Sequence, residues 1–267
     1  MPRTTTPALS EPARRRGLAW GARARDWAEC EEQQIPTYEA ALGRVPLEPG
    51  ARVLDVGCGT GVFLSLAAGR GARVSGVDAS EALLGIARER VPGADLRIAD
   101  MQRLPHPEGA FDLVTGFNSF FFADDMVAAL GEARRVTRPG GVVLAQVWGA
   151  PERCDMTAMK LALRALAPPP DDAAPAPRLW EPGVLEELAA TAGLTPAGSF
   201  DIEYGWEYPD AETLGRRLLA PGPVGELARS LGEERVRAAM TSALAPCRRP
   251  DGGYHVRNRW HFMIATA

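Results

Sequence analysis

The residues with most chemical potential occupy one short stretch, Val53-Leu54-Asp55-Val56-Gly57-Cys58-Gly59-Thr60-Gly61. An apolar, β-branched run leads straight into three alternate glycines, and glycine lets backbone approach a bound ligand closely. A dinucleotide fingerprint places its third glycine after two intervening residues and sets a pyrophosphate at a helix N-terminus. Here the G-x-G-x-G spacing is one residue shorter and an acid precedes it, so Asp55 would repel a phosphate and suits a cationic ligand. Asp78 ends the next apolar run, 21 residues after Gly57, where a carboxylate can take both hydroxyls of a ribose. Asp100 closes a third run and precedes Met101, an acceptor for an adenine amino group beside an apolar wall for its ring.

These acids work together only if consecutive strands carry them to one edge. Arg52–Val56, Ala72–Val77, Ala94–Ala99, Phe111–Thr115 and Val142–Val147 read as strands. Between them lie helical segments, one capped by Thr60, one running from Ser80 to Arg90, and one from Asp124 or Asp125 to Val136. Alternating strands and helices imply a parallel sheet covered on both faces. A further helix is expected over Gly183–Ala192, a strand from Leu194, helices within Pro209–Pro246 and a last strand over Val256–Thr266, with a linker at Ala167–Pro177. The organisation expected is a disordered tail at 1–17, an N-terminal helical cap at 18–46, a ligand-binding sheet domain at 47–205 and 251–267, and a helical lid at 206–250.

The chain has 267 residues, 46% of them hydrophobic, enough for one substantial core with additions. A net charge of −4 with scattered arginines offers no basic field for nucleic acid. The four cysteines form no C-x-x-C pair, which speaks against a metal site or a disulfide framework and for a reducing cytoplasm. No stretch is apolar enough to span a membrane. The single lysine, Lys160, is set down to composition.

The segments VLDVGCGTG, GVDAS, IADM, FDLV and RVTRPGG together resemble class I S-adenosylmethionine-dependent methyltransferases, nearest the quinone-biosynthesis type and its relatives in secondary metabolism. The likeness is strong over Trp20–Ala150 and weak beyond. It implies a Rossmann-like seven-stranded α/β sheet whose last strand is antiparallel, and S-adenosylmethionine as cofactor. On that resemblance Gly57, Gly59 and Gly61, with Asp55 before them, cradle the methionine part. Asp78, with Ala79 beside it, takes the ribose, Asp100 and Met101 the adenine, and Phe117 flanks the methyl end.

The acceptor implied is a small molecule, with oxygen favoured as the methylated atom and a monomer or homodimer as the working form. Trp27, Tyr38, Asn118, Trp206 and Tyr254 are candidate pocket residues. Phe120, Phe121 and Phe122 are either packing or an aromatic wall. An in-line displacement needs alignment above all, with a base only for an alcohol or phenol. Of the three histidines, His106 is expected at the surface and His261 packed in the last strand, leaving His255 as candidate base because it enters that strand at the ligand edge. Two other readings stand beside methyl transfer: a protein that binds S-adenosylmethionine without methylating, and a nicotinamide-dependent reductase.

Overall fold

The computed structural model describes residues 8–168 and 177–267. Three helices open the described chain: α1 (Glu11–Gly21), α2 (Ala24–Glu32) and α3 (Ile35–Arg44). The core then alternates β1 (Arg52–Val56), α4 (Val62–Gly69), β2 (Arg73–Asp78), α5 (Glu81–Arg90), β3 (Asp95–Ile98), β4 (Phe111–Phe117), α6 (Met126–Val136) and β5 (Thr137–Trp148). After it come α7 (Met156–Leu166), α8 (Val184–Thr191), β6 (Thr195–Tyr208), α9 (Ala211–Leu218), α10 (Gly222–Leu231), α11 (Glu233–Ala243) and β7 (Tyr254–Thr266).

The strands form one seven-stranded sheet in the order β3-β2-β1-β4-β5-β7-β6. The first five are parallel, and β7 runs antiparallel to both β5 and β6. This is the α/β architecture expected from the alternating pattern. Val53, Leu54 and Val56 of β1 are completely buried, because helices cover both faces and a parallel strand then reads as a continuous apolar run. The strand order reverses between β1 and β4, the switch point outside which such sheets open a crevice. All three glycines after β1 take left-handed φ values, 76° at Gly57, 54° at Gly59 and 78° at Gly61. That lets the chain fold back over the sheet edge and enter α4.

Several local expectations need correction. Thr60 does not cap α4; the N-cap is Gly61, and the Thr60 side chain is turned inward. The proposed tail is partly helical, since α1 begins at Glu11; its residues 1–7 lie outside the described residues. The Ser10 hydroxyl caps α1 by accepting from the Ala13 amide at 3.3 Å, and Pro12 fits the first turn. Composition suggested a segment unable to bury apolar surface, but α1 packs through small residues, Ala13, Gly17 and Ala19, against α5 and α10. The segment before the Ala167–Pro177 linker, given no structure from sequence, is α7; most of the linker lies outside the described residues. His106 is not at the surface. It is buried edge-on against Phe111, and burial brings its pKa down to about 4.

Helices α9 to α11 are inserted between β6 and β7, and α10 packs on α1, so both ends of the chain contribute to one helical layer over the carboxyl edge of the sheet. Its closest approach is Gly17, where a Cβ would stand 2.0 Å from the Ala79 carbonyl oxygen. Gly17→Val should therefore lift α1 from the β2–α5 turn. The expected result is faster tryptic cleavage at Arg14, Arg15 and Arg16 with little change in the main unfolding transition, and unchanged cleavage would show that α1 does not depend on this contact.

Candidate functional site

One cavity of about 420 Å³ runs along the carboxyl edge beneath this helical layer. Gly57, Gly59, Asp78, Ala79, Asp100, Met101 and Phe117, all candidates from sequence, line it, as do Trp27, Tyr38, Asn118 and Trp206. Asp55, Gly61, Tyr254 and His255 do not. Asp55 is buried under the glycine loop and accepts from the Thr115 hydroxyl at 2.7 Å. Gly61 packs against Ala87 of α5. Tyr254 is buried in the apolar cluster beneath the inserted helices. His255 is exposed, paired to Glu207 across β6 at 2.5 Å, and has no place beside the cavity. The antiparallel strand does begin at the ligand edge, but its alternation points His255 away from the cavity. The Phe120–Phe122 turn divides between both readings: Phe120 fills the core, while Phe121 and Phe122 line the cavity.

The glycine loop is ringed by carboxylates. Asp78 accepts from the Gly59 amide at 3.0 Å and the Ser80 amide at 2.8 Å, and burial raises its pKa. Glu31 of α2, not singled out in the sequence, accepts from both the amide and the hydroxyl of Thr60 at 2.8 Å. It is 4% exposed, and burial pushes its pKa up to about 7 despite those two donors. Asp55 rises to about 8 for the same reason, with Glu31 and Asp78 adding like charge. A Cβ on Gly59 would stand 2.7 Å from Glu31 Oε2, so the loop must be glycine there to fit beneath the carboxylate. The signal for Glu31 was present: Trp27, Glu31, Gln34 and Tyr38 follow a helical spacing of four, three and four on the buried face.

The remaining polar atoms of the lining are poorly satisfied. Asn118 holds a left-handed φ of 51° immediately after β4, and its buried Oδ1 has no partner. Gln33 Nε2 and Gln34 Oε1 are likewise buried and unpaired. Buried polar groups are normally paired, and left-handed non-glycine residues concentrate at functional sites. At the β3 end, Asp100 Oδ2 accepts from the Ser10 hydroxyl at 2.5 Å, tying the start of α1 to that edge. The opposite end is aromatic, with Trp148 and Trp206 edge to face at 5.8 Å and Trp20 against Trp27 at 4.7 Å.

The sheet places a glycine loop at its switch point, with acids closing β2 and following β3, around one cavity. The family model for a methyltransferase domain matches residues 54–145. The chain is similar to the malonyl-[acyl-carrier protein] O-methyltransferase of Serratia marcescens, 39% identical over 106 residues, 40% of this chain and 42% of that one. The trans-aconitate 2-methyltransferase of Paracidovorax citrulli is 38% identical over 120 residues, 44% of this chain and 46% of that one. The chain thus matches less than half the length of these curated relatives. A chain of the complex between the Haloferax volcanii Trm112 methyltransferase activator and a methyltransferase superposes with a TM-score of 0.62 at 22% identity, covering 96% of this chain and 97% of that chain. Among the described residues no helix is long and apolar enough to cross a membrane.

The raised carboxyls carry a sign. Glu31 is ionised at pH 5–7 in the unfolded chain but largely protonated when folded, so the native state loses stability as pH rises from its ordinary value near 4.5 through about 7. Glu31→Gln keeps an acceptor for Thr60 and removes the titration. Relative to wild type it should gain about 2–3 kcal/mol between roughly pH 5 and pH 7.5 in denaturant unfolding without ligand. A pH-independent difference would mean that Glu31 is ionised throughout.

Proposed function

We propose that the protein transfers a methyl group from S-adenosylmethionine to an oxygen of a small-molecule acceptor. The observation that carries this is the cavity lining: a glycine loop, three acids at the β1–β3 end and an aromatic chamber at the β5 end of one continuous space. The cofactor supplies a sulfonium-bound methyl group, and the chain's residues fit its parts. Glu31, beside the glycine loop, presents a carboxylate to a cationic amino-acid end. Asp78 keeps free lone pairs for a diol although it already accepts two amides. Asp100 and Met101 bound the adenine edge, with Ser10 closing over Asp100.

The remaining work is alignment and exclusion of water. Phe117 sits 9% exposed at the end of β4, its ring 4.6 Å from that of Tyr38, and these two hold the position between the two ends of the cavity. Helices α1 and α10 cover it, which strengthens electrostatic contacts inside. None of the three histidines lines the cavity, so no imidazole stands ready to remove a proton. An acceptor whose oxygen is already ionised fits such a site better than an alcohol. The name of one relative, the malonyl-[acyl-carrier protein] O-methyltransferase, supports oxygen as the target. The family match and the glycine spacing favour this reading over a nicotinamide-dependent reductase.

Calorimetry with S-adenosylhomocysteine tests the cofactor half. Wild type should bind, and Asp78→Ala should lose roughly 1.5–3 kcal/mol, the worth of a hydrogen bond to a charged group. Equal affinity in the variant would remove Asp78 from the ribose. Turnover is read as S-adenosylhomocysteine formed in the presence of acidic small molecules. Binding without any such product would point to the reading in which the cofactor is held but not used for methylation.

A further inference from the structure

The charges on the cavity wall are sorted by position. Its acids, Glu31, Asp78 and Asp100, stand at the β1–β3 end. Three cations also line it: Arg16 is paired with Asp124, Arg217 with Glu29, and Lys160 has no carboxylate partner among the described residues. Lys160 lies on α7, and its Nζ sits 3.6 Å from the centroid of the Trp148 ring at the end of β5. With strands about 4.8 Å apart, the end of β5 is roughly 10 Å from the end of β1 and nearly 20 Å from that of β3. The ammonium is thus at the end of the cavity away from the acids, among Trp148, Trp206, Met156, Met159 and Leu163.

An ammonium held over an indole face gains a cation–π attraction but still has room for an anionic partner. Lys160 is exposed as a residue while also lining the cavity, and desolvation of its ammonium brings its pKa down to about 8. It is still mainly cationic near neutral pH. An anionic oxygen would restore what the wall removes, and the neighbouring aromatic rings would take a flat apolar body.

Resting on the methyl-transfer reading above, we propose that Lys160 anchors an anionic oxygen of the acceptor, so that the cavity selects flat, largely apolar molecules bearing a carboxylate, phenolate or similar oxyanion. Arg16 and Arg217, already neutralised by their partners, do not compete for that charge. Lys160 is a specificity-determining residue in this arrangement, and the charge matters more than the length of its stem.

A matched pair of fluorescent probes reads this without any acceptor in hand: anilinonaphthalene sulfonate, which is anionic, and phenylnaphthylamine, its uncharged counterpart. Both are titrated into the full chain saturated with S-adenosylhomocysteine. Lys160→Met should bind the anionic probe about ten- to a hundredfold more weakly while holding the neutral probe with unchanged affinity. Lys160→Arg should recover most of the anionic binding. If wild type and Lys160→Met bind the sulfonate equally, or if both probes weaken together while S-adenosylhomocysteine still binds, the anchor is wrong. Failure of the wild type to bind S-adenosylhomocysteine would instead strike the methyl-transfer reading. The probe comparison, repeated without that ligand, still decides the role of Lys160.

Discussion

Three carboxylates converge on the few residues where β1 turns into α4, and most of the site follows from how that concentration of negative charge is tolerated. Asp55 lies below the glycine loop, Asp78 beside it and Glu31 above it, each buried enough for its pKa to be raised. Buried like charges repel strongly at low dielectric, so the ligand-free loop keeps part of this set protonated near neutral pH. The loop amides of Gly59 and Thr60 spend themselves on Asp78 and Glu31, which leaves no nest of free N–H groups for a phosphate. A cationic ligand removes the repulsion and an anionic one adds to it. That asymmetry supports the proposed cationic ligand.

The sheet and the residues that line the β1–β3 end of the cavity were legible in the sequence because both are short-range. A β-branched run, alternate glycines and an acid at each strand end require only local backbone geometry and period. What was illegible depends on contacts between distant segments. Helix α1 looks too polar to order, yet it is held by small residues against α5 and by the Ser10–Asp100 hydrogen bond, a contact between residues 90 positions apart. Glu31 shares a helical period with Trp27, Gln34 and Tyr38, but that period does not say that the face it marks is set down on the glycine loop. His255 is the converse case: topology sets its strand at the carboxyl edge, but side-chain alternation turns it to the exposed face, where it pairs with Glu207.

The acceptor end was the least legible part. Its aromatic wall is gathered from α1, α2, the β4–α6 turn, β5 and β6, with methionines, a leucine and Lys160 from α7, and no two of those segments form a motif. Met156, Met159, Lys160 and Leu163 do follow a helical period, which would have placed α7. A lone lysine in an arginine-rich chain was set aside as composition. Composition explains why lysines are rare; it does not explain why the remaining one stands over a tryptophan on a cavity wall.

The polarity of the cavity also bears on how a methyl group would move through it. The sulfonium charge disappears as the methyl leaves, so a wall that is negative at the donor end holds the reactant cofactor more strongly than the neutral product. Taken alone, that difference opposes the reaction. A cation at the acceptor end adds to the problem if the acceptor's only anionic oxygen is the one that becomes an ester, because its charge is lost in the same step. The two costs fall differently along the path. In an in-line displacement both charges are partly spread in the transition state, and fixed groups already oriented toward them need no rearrangement. A chamber that brings the two ends into line and excludes water gains most from pre-orientation, the contribution for which no imidazole is required. On the proposed reaction, losing both charges would weaken the hold on both products and favour their release from beneath α1 and α10.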